Sequence, residues 1–303
     1  MLLEYREAEK RAGTYGLAWL EKAVHPMPGR VHADYLQLGS RAGRMSCTKP
    51  NVQNLPRTKT YRGCITAESG SCIVKADYSQ IELRIAAVIA QDVAMLEAYR
   101  AGQDLHSLTA ARLLGVAPEQ VTSESRQLAK AVNFGLLYGM GARTLQTYAR
   151  QNYRVSLTLK EAEQYRLRFF TAYAGLRRWH RATAATQPTE TRTLAGRRRV
   201  DVKAFTERLN SPVQGTGADG LKWALARLFA HRDEAPDARL VAVVHDEIVA
   251  ECPIDGAAQT AAWLQRHMTI AMTEILQDAV PVVVETTIGQ DWTGTPLPQE
   301  VTL

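Results

Sequence analysis

The sequence predicts an α+β fold, in which a β-sheet assembled from both ends of the chain carries a long helical insertion. Three observations predict it. An apolar run from Cys72 to Ala76 ends at Asp77 and reads as a buried strand. Towards the other end, Leu240–Val244 and Glu247–Cys252 flank the tip His245-Asp246 and read as an antiparallel hairpin. Between them, residues 92 to 185 are mostly helical in their apolar spacing.

The remaining elements fall around this frame. The first 25 residues read as a charged helix, broken by the prolines and glycine of HPMPGRVHADY. GSRAGRMSCTKPNVQNLPR is dense in Gly, Pro, Asn and basic residues and reads as loop. QIELRIAAVIA, directly after Asp77, has helical spacing. The clearest helix of the insertion begins near Ser123, with Thr122 or Ser123 as its cap, and runs past Tyr138. TLAGRRRV reads as a turn or short hairpin, and a further helix follows Pro212. A last helix, 256 to 278, precedes the strand PVVVETTIG. The chain shows no internal repeat and no low-complexity tract.

With 303 residues, the chain is long enough for one large domain or two closely packed ones. Its 46% apolar and 22% charged residues are ordinary for a globular enzyme. The net charge of +6 is compatible with a polyanionic partner without naming one. No apolar run approaches the roughly 18 residues of a membrane span, and the charged N-terminus lacks a signal peptide's apolar core. Cys47, Cys64, Cys72 and Cys252 have no CxxC spacing and read as reduced thiols, neither a zinc site nor a disulfide frame. These features predict a cytoplasmic protein.

Two acids stand out. Asp77 sits where an apolar strand ends and a helix begins, so a rigid scaffold delivers it to a tip that water can reach. The alternative reading of such an acid is a helix cap. Asp246 lies between two apolar strands, in a turn for which His-Asp is not a favoured pair. Two carboxylates on separate strand ends of one sheet suit two Mg²⁺ ions roughly 3.5–4 Å apart. A third constellation follows Ser123. Arg126, Lys130, Phe134 and Tyr138 recur every four residues, and each step drifts only about 40° around a helix. Two cations and then two aromatics on one face suit a triphosphate with a sugar or base beside it; the plainer reading is a solvated basic face grading into a buried one.

VKADYSQIELR, RQLAKAVNFGLLYG and VVHDEIVAEC, in that order, resemble the three signature segments of family A DNA polymerases, the bacterial DNA polymerase I group. RAGRMSCTKPNVQNLP resembles that family's primer-template segment, QDLHSLTA its triphosphate-contacting segment and LNSPVQGTGADGLK its template-contacting helix start. The resemblance runs from about residue 2 to 294. It implies a right-hand polymerase fold: a palm from residues 31–91 and 201–303, helical fingers from 92–200, and residues 1–30 as a remnant of a thumb that is otherwise largely absent.

It also implies roles. Asp77 and Asp246, with the carbonyl of Tyr78, would hold two Mg²⁺ ions, for which Mn²⁺ substitutes, and Glu247 would sit beside them in the catalytic group without being essential. Arg126, Lys130 and His106 would grip the incoming triphosphate, and Lys130 would protonate the leaving pyrophosphate. Phe134 would face the sugar, Tyr138 the nascent base pair, and Gln80 the nucleotide site. Glu82 would crowd a 2′-hydroxyl and so select deoxynucleotides. Arg44, Asn51, Gln53, Asn54, Arg84, Asn210, Gln214 and His245 would contact primer-template DNA, Arg84 from behind the site. The implied activity is template-directed addition of deoxynucleotides to a primer 3′ end by two-metal phosphoryl transfer, in DNA replication and repair. Without a full thumb or a nuclease segment, synthesis is expected to be distributive and without proofreading, with an accessory protein or an upstream domain in trans as a route to tighter grip. Glu82 and the DYSQIELR wording argue against a phage-type RNA polymerase, and the complete set of acids and cations argues against a non-catalytic DNA-binding module.

Overall fold

The computed structural model describes residues 2–27 and 29–297. Residues 1, 28 and 298–303, within the expected thumb remnant and palm, lie outside the described residues. Two helices open the chain, α1 (Leu2–Tyr15) and α2 (Leu17–Ala23), where one was expected. The break falls at Gly16, whose extended backbone starts the second helix. The segment read as loop contains a small antiparallel sheet, β1 (Asp34–Leu36) with β2 (Ser46–Thr48). Its strands are three residues each, too short for an alternating pattern to show in sequence. A single helical turn, α3 (Lys59–Arg62), follows.

The main sheet begins with β3 (Ser71–Tyr78), which runs into α4 (Ile81–Ala90). The insertion then comprises α5 (Val93–Arg100), α6 (Leu105–Leu114), α7 (Ser123–Leu137), α8 (Ala142–Tyr153), α9 (Leu159–Ala172) and α10 (Ala174–Thr186). A hairpin of β4 (Thr191–Arg192) and β5 (Arg198–Arg199) leads to α11 (Phe205–Ala230). The chain returns to the sheet through β6 (Arg239–Val244) and β7 (Glu247–Pro253), crosses it as α12 (Ala257–Leu276) and ends in β8 (Val284–Gly289). The sheet order is β6-β7-β3-β8, antiparallel throughout.

Two boundaries differ from expectation. Helix α7 ends at Leu137, with Tyr138 as its C-cap and Gly139 at φ +80°. Glycine enters that left-handed region without steric cost, so the chain turns there. Helix α11 begins at Phe205, and Pro212 lies inside it. A proline removes one helical hydrogen bond, but Pro212 is buried and packing on both sides carries the helix through.

Strand alternation positions the site. On β3, Cys72, Val74, Ala76 and Tyr78 point into the main core with α4, α11 and α12. Ile73, on the opposite face, joins Val244, Val249 and Trp292 in a second, smaller core. With a period of two, Asp77 shares the face of Ile73. The sheet therefore buries one side under helices and presents Asp77 on the other.

Candidate active site

Asp77 and Asp246 meet at one end of the sheet, Asp77 near the end of the inner strand β3 and Asp246 in the turn between β6 and β7. Asp77 pairs in register with Glu247, and the amide of Tyr78 donates to the Asp246 carbonyl at 3.4 Å. Both acids are half-buried. Burial, then the Asp246 charge, pushes the Asp77 carboxyl up to about 7. Asp246 is also raised, chiefly by burial and, among its neighbours, by Glu82. Asp77 Oδ1 is buried with no hydrogen-bond partner. A pair of half-buried acids, one of them with an oxygen that finds no donor, is an arrangement that cations complete. Backbone strain brackets the pair: His245 stands at φ +60° and Gln80 at φ +54°. Neither residue is glycine, and such positions persist only where the surroundings enforce them.

The residues just after Asp77 tie both ends of α7 to the sheet. Gln80 Nε2 donates to Asp104 Oδ1 at 3.0 Å, and Tyr99 donates to Gln80 Oε1 at 3.4 Å. Asp104 caps α6 through Ser107 and accepts from Arg126 Nε at 2.7 Å and Nη2 at 3.2 Å. Burial opposes the Asp104 charge, but Arg126 and Ser107 more than offset it and hold its carboxyl far below the usual range. At the other end of α7, the Tyr138 hydroxyl donates to Glu82 Oε2 and Arg44 bonds Glu82 Oε1. Burial first, then Glu82, raises the Tyr138 phenol, and the Gln214 side chain contacts it as well. Lys130, between these ends, is half-buried and makes no hydrogen bond or ion pair among the described residues. Phe134 is half-buried against the main core.

The other expected residues are placed as follows. His106 is buried, bonded to the Asn133 side chain at 2.8 Å, with its ring 5.7 Å from Phe134. Burial lowers it to about 4, so it is neutral at pH 7 and supports Phe134 from behind instead of offering a charge. Arg84 is also buried. It donates to the carbonyls of Ser79 at 3.0 Å and Pro281 at 2.6 Å and lies 4.2 Å from the Tyr99 ring centroid. The guanidinium is enclosed behind the site and braces the Asp77 loop. Glu247 is buried next to the pair, in register with Asp77. Its Oε1 accepts from Trp292 Nε1 at 2.8 Å and Arg62 Nη1 at 3.2 Å, so the carboxylate anchors the second core beside Asp77. Gln53 donates to the Val243 carbonyl at 3.1 Å, and Asn51 accepts from the Gln53 amide at 3.1 Å. The Asn54 side chain is exposed, and Asn210 Oδ1 is buried without a partner. His245 is exposed at the tip, its imidazole lowered by partial burial and by Arg44 and Arg57.

Sequence reasoning missed Asp104, Arg57, Arg62 and Trp292. The D-x-x-S spacing of Asp104 and Ser107 signals a helix cap, but nothing local signals its bond to Arg126. The positive charge of Arg57 reaches both Asp77 and Asp246, and no spacing in the sequence links it to either.

An antiparallel sheet holding two acids at adjacent strand ends, joined to a basic and aromatic helix, is the architecture of a polymerase palm with fingers. The model of DNA polymerase family A matches residues 1–294. DNA polymerase I of Aquifex aeolicus is 41% identical over 298 residues, covering 97% of this chain and 50% of that protein. The thermostable DNA polymerase I of Thermus aquaticus is 36% identical over 308 residues, covering 96% of this chain and 36% of that protein. A solved structure, the POL domain of Pol1 from M. smegmatis in complex with DNA primer-template and dNTP, superposes with a TM-score of 0.83 at 30% identity, covering 97% of this chain and 53% of that one. The chain belongs to DNA polymerase family A, as its three motifs implied. It spans half or less of the length of these curated relatives.

Proposed function

We propose that this chain is a polymerase core that adds deoxynucleotides to a primer 3′ end on a DNA template. The observation that carries the reading is the pair Asp77 and Asp246, both raised chiefly by burial, Asp77 also by the Asp246 charge and Asp246 by that of Glu82, with Asp77 Oδ1 left without a hydrogen-bond partner. Asp77, Asp246 and the Tyr78 carbonyl fit two Mg²⁺ ions, or Mn²⁺ in their place, which when bound activate the primer hydroxyl and neutralise the leaving pyrophosphate.

The protein's own residues position and neutralise. Arg126 exchanges Asp104 for the triphosphate, and Lys130, unpaired beside it, meets the same phosphates and protonates pyrophosphate. Phe134 lies against the sugar, with His106 behind it. Tyr138 borders the new base pair. Glu82, gripped by Arg44 and Tyr138, closes the space that a ribose 2′-hydroxyl needs. Gln80 steadies Asp104. Arg44, Asn51, Gln53, Asn54, Asn210, Gln214 and His245 track primer-template DNA in the minor groove, where acceptors are placed alike in all correct pairs. Movement of α7 over a correct pair contributes to selectivity.

In this reading residues 31–91 and 201–303 are palm, 92–200 fingers and 1–30 thumb-end helix. Among the described residues, no helix is long and apolar enough to cross a membrane; the protein acts in the cytoplasm, in replication or repair. For this polypeptide by itself we expect distributive, salt-sensitive synthesis without proofreading, with grip restored by a partner or domain in trans. The test is primer extension with Mg²⁺ and either deoxy- or ribonucleotides. Template-dependent growth with deoxynucleotides alone supports the reading. No template-dependent product, or equal use of both sugars, overturns it.

A further inference from the structure

Away from Asp77 and Asp246, three side chains with metal-ligating atoms converge where α11 ends. His231 is the C-cap of α11, Glu234 lies in the single 3-10 turn after it, and His267 faces them from α12. His267 Nε2 is 3.1 Å from Glu234 Oε2, and His231 Nδ1 is 3.5 Å from Glu234 Oε1. One ligand atom from each residue lies within 4.8 Å of the other two. The imidazoles stack at 4.7 Å with 19° between their planes, each presenting a ring nitrogen to the same carboxylate.

We propose that His231, Glu234 and His267 bind one divalent ion of the zinc class, with water completing its coordination. A tetrahedral ion with bonds of about 2.0–2.1 Å sets its ligands roughly 3.4 Å apart. The two histidine–carboxylate separations already lie close to that. Two imidazoles with one carboxylate favour Zn²⁺ or Co²⁺ over Mg²⁺, which takes oxygen ligands. The site is held in advance. Trp263 Nε1 donates to the His231 carbonyl at 2.9 Å and Gln259 Nε2 to the Glu234 carbonyl at 2.7 Å, so α12 fixes the turn that carries two of the ligands. His267 is buried and His231 exposed, which gives the ion a packed ligand on one side and a solvent entry on the other.

Arg266 competes, since it pairs with Glu234 Oε2. That arginine is largely exposed, such pairs are weak, and its side chain is free to swing into water. The ion takes the place of the hydrogen bond between His267 and Glu234, and the imidazole proton moves to Nδ1, which has no partner now. Bound there, the ion staples α11 to α12 immediately ahead of β6, the strand that leads to Asp246.

The test is titration of the whole chain with Co²⁺ in saturating Mg²⁺, read by visible absorption, with thermal melting in Zn²⁺ alongside. One equivalent of Co²⁺ with the intense visible bands of four-coordination, and a rise in melting temperature that a chelator reverses, are expected. His231→Ala, at an exposed position that leaves the fold intact, weakens binding at least tenfold. Asp77→Asn leaves it unchanged. Absence of the bands, bands that survive His231→Ala, or bands lost in Asp77→Asn overturn the proposal, the last by locating the ion at the paired acids.

Discussion

Glu247 tests whether an acid next to the paired carboxylates is chemistry or scaffold. Its carboxylate is buried, and one oxygen accepts from both Trp292 and Arg62. Arg62 is buried too, with its guanidinium 4.3 Å from the Trp292 ring centroid and its Nε without a partner. Glu247→Gln keeps the shape and one carbonyl oxygen but leaves the Arg62 cation without its charged partner. Hydrogen bonds to charged groups are worth about 1.5–3 kcal/mol, and that is the expected loss in unfolding free energy. Glu247→Ala removes the acceptor as well and should cost about 3–5 kcal/mol, the range for breaking a buried pair. Urea denaturation with unchanged slope measures both. Single-nucleotide incorporation on the same Gln variant should fall less than tenfold, because Asp77 and Asp246 are untouched. A thousandfold loss of incorporation with unchanged stability would refute this and return Glu247 to the catalytic group.

Asp77→Ala or Asp246→Ala should lower extension by about a thousandfold or more, as expected of a group that stabilises transition-state charge, while duplex affinity stays within a few-fold; near wild-type turnover in either variant overturns the two-acid assignment. In a chelator, Asp77→Asn should be more stable than the parent by about 0.5–2 kcal/mol, because a buried repulsion is gone; equal urea midpoints would contradict that. Glu82→Ala should raise ribonucleotide use relative to deoxynucleotide, and Phe134→Tyr should improve use of dideoxynucleotides, both read as ratios of kcat/KM; unchanged ratios would remove these residues from sugar selection. Burial lowers both His106 and His180 from 6.5 to about 4. The unfolded chain therefore binds more protons between those values, so stability is full above pH 6.5 and is lost as pH falls towards 4. At pH 5 each histidine should cost about 2 kcal/mol relative to pH 7. His180→Gln should flatten part of this slope in urea titrations, and a slope identical to the parent's would show that His180 is not its source.

The sequence by itself determined the strands of the main sheet, most of the helices and the family. Cys72 to Ala76 reads as strand because the run is short, contains the β-branched Ile73 and Val74, and is bounded by Gly70-Ser71 and Asp77. Asp246 had to lie in the turn between two strands because the residues on either side of it are apolar. The spacing from Arg126 to Tyr138 placed two cations and two aromatics near one face of a helix and its C-cap. These are local signals, and they survive without knowing what packs against what.

Only the tertiary structure decided which polar groups are already engaged. Arg84 and Glu247 read as site residues, yet each is enclosed by partners that come from distant sequence: Pro281 for one, Arg62 and Trp292 for the other. Asp104 went unread in the sequence, and becomes the partner of Arg126 only because α6 and α7 pack side by side. His106 carries no charge at pH 7 because packing around it removes water, which its place in the sequence does not tell. In each case the property belongs to a pair or to a buried environment, and long-range contacts create both. A residue's type is written in the chain, whereas its charge, its partners and its access to solvent are set where the elements meet.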